Sequence, residues 1–378
     1  MRRTCVLINN TSLGGAERRF SHLFTRMADA DPGVNLVINA GLWKRLVETG
    51  VATGHERRVW KLAEPCGRLA EWIGFRRSEP AFFLRKLDYL LFACLLLVRY
   101  ALARRRLFHL VLGGAYIALP LMALRPDHRV VVSVVSADLT LMVGAPWALP
   151  IYRHILRRCT GIDALTEAAR ADLMRRGISG DVILVSPGST VDPDRFQPAP
   201  DRQAWVVFAG RLVDEKNPLL FLEAVPAVHR AEPTGRFFLL GEGPLRSQVE
   251  QALDRLQLRG VVEAGFRQDL ASVLGKTRVF VSLQRQDNYP SQSLLEAMAC
   301  GAAAVATDVG LTWKLVDEAT GIRVKPNPAD IAEAVIGLLR DPQRCDRLGQ
   351  AARRRVQEAH SEDRYRAYLD ELYAKVAT

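Results

Sequence analysis

The sequence predicts an α/β protein in which two doubly wound parallel sheets are each covered by helices on both faces. Three observations carry that expectation. Short apolar runs rich in Val, Ile and Leu alternate with stretches of helical periodicity, the pattern of strand–helix–strand units in a parallel sheet. The alternation breaks at a polar, proline-rich tract, Gln197-Pro198-Ala199-Pro200-Asp201-Arg202, and then starts afresh. A chain of 378 residues, 49% of them hydrophobic, has material for two or three domains with real cores.

The first half opens with a strand from Thr4 to Asn9. A loop, Asn10 to Gly15, leads into an amphipathic helix whose Phe20, Leu23, Phe24 and Met27 recur at helical spacing. Val34 to Asn39 is the next strand. His109 to Leu112, Val130 to Val135, Ile162 to Leu165 and Val182 to Val185 complete the set, with helical patterns between most of them. Beyond the proline-rich tract the pattern restarts with a strand at Ala204 to Ala209 and a helix from Pro218 to Arg230. Strand Arg236 to Leu240, helix Pro244 to Leu256, strand Val261 to Ala264 and helix Asp269 to Leu274 follow. Then come strands Val279 to Leu283 and Ala303 to Ala306 and a helix from Ala329 to Leu339. Ser361 to Lys375 is helical, with Tyr365, Tyr368, Leu369 and Leu372 on one face. No tandem repeat is present.

A net charge of +11 favours an anionic partner: a phosphorylated ligand, an acidic membrane surface or nucleic acid. No recognition module or aromatic-interleaved basic strand supports nucleic acid. The six cysteines are scattered without a CxxC, which suits buried thiols in a reducing, cytoplasmic compartment. The N-terminal residues run straight into a strand pattern and lack the features of a signal peptide. Residues 68–106 stand apart. Arginines at 68, 76, 77, 85, 99 and 104–106 flank an apolar run from Tyr89 to Val98, too short to span a bilayer. A basic, apolar segment of this kind suits the surface of an anionic membrane, which places the protein peripherally at the inner face of the cell membrane. The bland reading is a buried helix with solvated cationic ends.

One tract carries most of the chemistry. Asn288-Tyr289-Pro290-Ser291-Gln292-Ser293-Leu294-Leu295-Glu296-Ala297-Met298-Ala299-Cys300 joins a polar loop to a helix start, and Gly301 ends the helix. A helix N-terminus offers unpaired N–H groups and the positive end of the dipole, so Ser291, Gln292 and Ser293 suit a phosphate. Glu296, just inside, suits a pair of sugar hydroxyls. Phosphate and diol together indicate a nucleotide. Gly210-Arg211-Leu212-Val213-Asp214-Glu215-Lys216-Asn217 follows the first strand of the second half, where open α/β sheets bind ligands. Its Arg211 and Lys216 could hold a diphosphate. Gly265-Phe266-Arg267 follows a later strand and could admit a planar ring. Gly14-Gly15-Ala16-Glu17 allows close backbone approach to a phosphate but is not GxGxxG. Each tract alone also reads as an ordinary strand-to-helix turn, and Gly241-Glu242-Gly243-Pro244 reads best that way. Asp192-Pro193-Asp194 reads as a structural turn, and His109 and His154 as packing or surface residues. No metal-ligand set, GxSxG, HExxH or Walker sequence is present.

Together, Gly14 to Glu17, Gly210 to Lys216, Gly241 to Arg246 and Leu294 to Gly301 resemble the retaining, nucleotide-sugar-dependent glycosyltransferases of family 4, the glycosyl transferases group 1. The turn Pro187 to Asp192, running to Phe196, is similar to that family's closing segment of the first domain. The resemblance implies the GT-B fold: two Rossmann-like doubly wound domains facing across a cleft, with a C-terminal helix crossing back to the N-terminal domain. The domains would be residues 1–198, on the acceptor side and packed by 361–378, and residues 199–360, binding the donor. It implies that Arg211, Lys216 and Gly210 hold the donor diphosphate and that Glu296 binds the ribose. Gly265, Phe266 and Arg267 would meet the base, and Gly14 and Gly15 the phosphate from the opposite domain. The donor would be a UDP- or GDP-sugar, with no cofactor and no metal. The acceptor would be a glycan or a lipid-linked sugar in surface glycan synthesis.

Two departures from the family matter. The family has two glutamates separated by seven residues, whereas here Asn288 stands eight before Glu296, with Asp287 beside it. Either a bulge lets Asp287 contact the donor sugar, or Asn288 does so without charge. Ser136-Ala137-Asp138 occupies the stretch where the family often has a histidine, so no histidine base carries over. The rival readings are a nucleotide-sugar epimerase on the same scaffold and a catalytically degenerate nucleotide-sugar-binding protein.

Overall fold

The computed structural model describes residues 3–8, 15–48, 55–66, 69, 87–88, 91–92, 94–96, 98–100, 106–111, 127–134 and 149–377. The chain divides into two units, residues 1–187 with 365–378 and residues 188–364.

The first unit contains a seven-stranded sheet. Its strands are β1 (Arg3–Ile8), β2 (Asn35–Asn39), β3 (Val59–Leu62), β4 (Arg106–Val111), β5 (Arg129–Val134), β6 (Gly161–Ala164) and β7 (Ile183–Val185). All neighbours pair parallel, in the order β3-β2-β1-β4-β5-β6-β7. Helices α1 (Gly15–Ala30), α2 (Ala40–Glu48), α3 (Leu149–Leu156) and α4 (Glu167–Arg175) lie between strands. Side chains alternate across each strand, so both faces of the sheet are apolar. Val6 and Ile8 pack with Phe20 and Phe24 of α1 on one face, while Cys5 and Leu7 pack with Phe92, Leu96 and Tyr100 on the other.

The second unit has strands β8 (Gln203–Ala209), β9 (Arg236–Leu240), β10 (Val262–Gly265), β11 (Thr277–Ser282), β12 (Ala303–Thr307) and β13 (Gly321–Val324). They form a parallel sheet in the order β10-β9-β8-β11-β12-β13. The chain winds outward from β8 to β10, then returns to β11 beside β8 and winds the other way. That reversal is the topological switch point of a doubly wound sheet, where such folds bind ligands. Helices α5 (Pro218–Ala231), α6 (Arg246–Arg255), α7 (Leu270–Lys276), α8 (Gln292–Ala299), α9 (Pro328–Arg340) and α10 (Pro342–Ala359) cover its faces.

Two edge strands, β3 and β13, and the long helix α10 were not legible in the sequence. The edge strands are four residues each and only partly buried, so they show neither a continuous apolar run nor clean alternation. The division between units falls at Pro187/Gly188, ahead of the proline-rich tract. Val191 and Phe196 enter the core of the second unit, and the Val191 N–H donates to the His360 carbonyl at 3.1 Å.

The last helix, α11 (Glu362–Ala377), packs on the first sheet through Tyr365, Leu369, Leu372, Tyr373 and Val376. A buried polar chain fixes it there. Tyr368 OH donates to Asp163 Oδ1 at 2.8 Å, and Ser133 Oγ donates to Asp163 Oδ2 at 2.6 Å. Since the Ser133 proton points to Asp163, its oxygen accepts from His109 Nε2 at 2.7 Å. In the neutral imidazole the other nitrogen, Nδ1, then accepts from Tyr373 OH at 2.7 Å. His109 is thus a packing residue, with its donors and acceptors matched as burial requires. Burial raises the pKa of both phenols, so they stay protonated donors.

Candidate active site

The loop after β8 is shaped by glycines on the neighbouring strand's loop. Gly210 N–H donates to the Leu240 carbonyl at 2.9 Å, and Leu212 N–H to the Glu242 carbonyl at 2.9 Å. Gly241, with φ 151°, lies so close to the Gly210 carbonyl that a Cβ would overlap it, and a Cβ on Gly243 would strike the Leu212 backbone. The GxG turn therefore acts as a backbone-to-backbone seat for the Arg211 loop. Beyond Arg211, residues Asp214–Lys216 form a single 3-10 turn, and Asn217 adopts a left-handed conformation before Pro218 opens α5.

Arg211 is exposed, while Lys216 is half-buried with its stem against Gly210. Burial pulls the Lys216 amine down to about 8, repulsion from Arg211 adds to this, and Glu215 opposes it. A desolvated ammonium beside a second cation is a poor place for positive charge until an anion arrives. The sign follows: Lys216 is charged below about pH 8 and loses its proton as pH rises through that value. Affinity for a phosphate anion is expected to fall over the same interval. Calorimetric titration with pyrophosphate at about pH 7 and about pH 9 checks this, with proton uptake on binding near the midpoint. Equal affinity at both values would rule the lysine out as a contact.

The loop after β11 ends at the start of α8. Ser291 holds the N-cap position but makes no capping bond, and its Oγ is buried without a partner among the described residues. Gln292 donates from Nε2 to the Thr190 carbonyl and to Glu296 Oε1, each at 3.1 Å, and its Oε1 is likewise buried and unpartnered. Of these atoms the Ser291 hydroxyl can donate to an anion together with the helix-start N–H groups, whereas the Gln292 amide oxygen only accepts. Glu296 is half-buried in the second turn, and Ser293 is half-buried beside it. Gly301, at φ 76°, ends the helix as the sequence predicts.

Other expected residues have different surroundings. Asp287 Oδ1 accepts the backbone N–H groups of Tyr289 at 3.2 Å and Leu311 at 3.1 Å, so that oxygen organises the loop. Asn288 is exposed. After β10, the Arg267 guanidinium is held by Glu263 at 2.6 Å and by both Asp269 oxygens at 2.7 and 2.8 Å. The Phe266 ring is 60% exposed and open to stacking. Asp192 accepts the N–H groups of Asp194 and Arg195 within its own turn, at 2.9 and 3.3 Å, as the structural reading expects. Gly15 opens α1; Gly14 and the Ser136-Ala137-Asp138 stretch lie outside the described residues.

The fold is GT-B. The chain aligns over 99% of its length with a crystal structure of Anabaena HepE in complex with UDP and glucose, covering 100% of that chain at a TM-score of 0.75 and 16% identity. Sucrose-phosphate synthase from Thermosynechococcus elongatus aligns over 99% of both chains, at a TM-score of 0.75 and 19% identity. Residues 203–341, which lie within the second unit, match the family described as glycosyl transferases group 1. Curated relatives agree in class. Alpha-D-kanosaminyltransferase of Streptomyces kanamyceticus is 28% identical over 230 residues, covering 55% of this chain. The GDP-mannose-dependent alpha-(1-6)-phosphatidylinositol dimannoside mannosyltransferase of Mycobacterium tuberculosis is 28% identical over 178 residues, covering 44% of it. The matched stretches span 58% and 46% of those two relatives' lengths.

Proposed function

We propose that the protein transfers a sugar from a nucleoside diphosphate sugar to an acceptor hydroxyl with retention of anomeric configuration, using no metal. The observation that carries this reading is the convergence, at one switch point, of the Arg211 and Lys216 cations with a helix start whose N-cap Ser291 hydroxyl is buried without a partner among the described residues. Negative charge grows on the departing diphosphate as the glycosidic bond breaks. Fixed cations and helix-start N–H groups aimed at it stabilise that transition state, and two cations supply the neutralisation a divalent ion gives elsewhere. Glu296 accepts the ribose hydroxyls, and the Phe266 ring stacks on the base. HepE, solved with UDP and with UDP-glucose, supports a UDP-sugar donor, and a GDP-sugar fits the same chemistry. A thermal-shift screen against UDP-, GDP- and ADP-sugars, followed by product analysis with and without acceptor, tests the proposal. A shift with one donor class and a chelator-resistant, acceptor-dependent product are expected. Product from donor alone would identify an epimerase, and binding without turnover a silent binding protein; the neutral Asn288 favours the latter over the former.

We further propose that the acceptor is a lipid-linked or polysaccharide glycan and that the protein works at the inner face of the cell membrane. No described helix is long and apolar enough to cross a bilayer. The described residues between 87 and 100 are helical and apolar on two sides. Phe92, Leu96 and Tyr100 are buried in the first unit's core, while Leu87, Leu91, Leu95 and Val98, at one-face spacing, are exposed, Val98 by 80%. With Arg99 exposed beside Val98, this face suits insertion among anionic headgroups. Co-flotation with anionic liposomes is expected for the wild type and its loss for Val98→Glu, which sits in solvent and leaves the core alone. Flotation unchanged by the substitution would remove this surface from the proposal.

A further inference from the structure

Arg285 belongs to the loop after β11, yet its contacts reach across the switch point to the turn after β8. Its backbone N–H donates to the Glu215 carbonyl at 3.0 Å. Its Nε donates to the Asp214 carbonyl at 3.1 Å and lies 3.3 Å from the Asp214 carboxylate. Its Nη2 donates to Asn217 Oδ1 at 3.2 Å. These bonds grip the residues on both sides of Lys216.

The turn needs an external grip. Its own closure is two backbone bonds, from Lys216 N–H to the Val213 carbonyl and from Asn217 N–H to the Asp214 carbonyl, at 3.1 and 3.0 Å. Neither Val213 nor Asn217 supplies a side-chain cap. Asn217 is buried at φ 54° and ψ 50°, a left-handed conformation that costs energy in a residue with a Cβ. With no side-chain cap of its own, the turn depends on outside contacts to hold its shape.

We propose that Arg285 is a positioning residue for Lys216: its guanidinium clamps the Asp214–Asn217 turn so that the lysine ammonium stays at the diphosphate end of the site. The last clause rests on the donor reading given above; the clamp itself does not. Arginine suits the task because its planar fork serves two acceptors at fixed angles, which a lysine cannot do.

The test compares wild type with Arg285→Ala and Arg285→Lys by two readouts. The first is the pH dependence of Lys216 acylation by an amine-directed reagent, mapped by mass spectrometry. The charges acting on that amine are Arg211 and Glu215, with Asp214 and Arg285 on the clamp itself. A midpoint near 8 is expected in the wild type. In both variants it is expected to rise toward the ordinary lysine value of about 10.4 as the amine reaches solvent. The second readout is donor kinetics, where both variants are expected to lose on the order of tenfold to a hundredfold in kcat/KM. An unmoved midpoint in both variants overturns the clamp, even where donor KM rises, because Arg285 would then be touching ligand directly. Wild-type behaviour of Arg285→Lys beside a shifted Arg285→Ala also overturns it, since charge alone would suffice. Should no nucleotide sugar bind the wild type, the donor reading fails while the acylation profile still decides the clamp.

Discussion

Replacing Lys216 by Ala is expected to cut turnover on the order of 100- to 1,000-fold, the loss that follows removal of one preorganised group facing a developing anion. The effect should appear mainly in kcat. Ground-state donor still finds Arg211, the helix start and Glu296, whereas the charge on the leaving diphosphate is largest at the transition state. Stability should not fall. The amine sits at about 8 in the folded protein, below its ordinary value, so the unfolded chain holds that proton more tightly. The charged lysine therefore opposes folding at neutral pH, and this penalty fades as pH climbs above 8. A variant that melts at or above the wild-type temperature while losing turnover would separate a role in chemistry from one in architecture. Wild-type turnover in Lys216→Ala would dispose of the proposed mechanism.

The second large effect is on stability. Gly241→Ala should destabilise the protein by roughly 2–4 kcal/mol, combining backbone strain with overpacking against the Gly210 carbonyl. Gly260→Ala provides the control: that glycine has φ 83°, but a Cβ there would meet nothing within 4 Å. Strain without collision should cost only about 1 kcal/mol. Chemical denaturation of the two variants measures the difference. Near-identical losses would mean that the seat under the Arg211 loop tolerates a side chain. A larger loss at Gly241 with a matching fall in donor affinity would tie the glycine turn to the placement of the cation.

The sequence showed the second unit better than the first. Its inner strands are buried on both faces and read as apolar runs, and the tracts Gly210 to Lys216 and Ser291 to Gly301 follow two of them as residue types and spacing predict. What stayed hidden depends on contacts that residue type and spacing do not announce. Asp287 is an expected stand-in for a missing glutamate, and its Oδ1 also takes the Leu311 N–H from another loop. Arg267 is expected beside the base, and Glu263 and Asp269 hold its guanidinium. Arg285 carried no signal, because an arginine after a strand is ordinary until the turn it grips is seen. The edge strands β3 and β13 are too short and too exposed for periodicity to register. In the first unit, the loops at the switch point between β1 and β4 lie outside the described residues.

The return of α11 to the first sheet sets an order on biosynthesis. A ribosome must deliver the whole of the second unit before it releases the residues that finish the first. Until Tyr365, Leu369 and Tyr373 emerge, the nascent first unit lacks part of its apolar cover, and His109 and Asp163 lack their phenolic partners. Of the two units, the one begun first is thus completed last. During translation it is the stretch that a holdase chaperone would be expected to shelter.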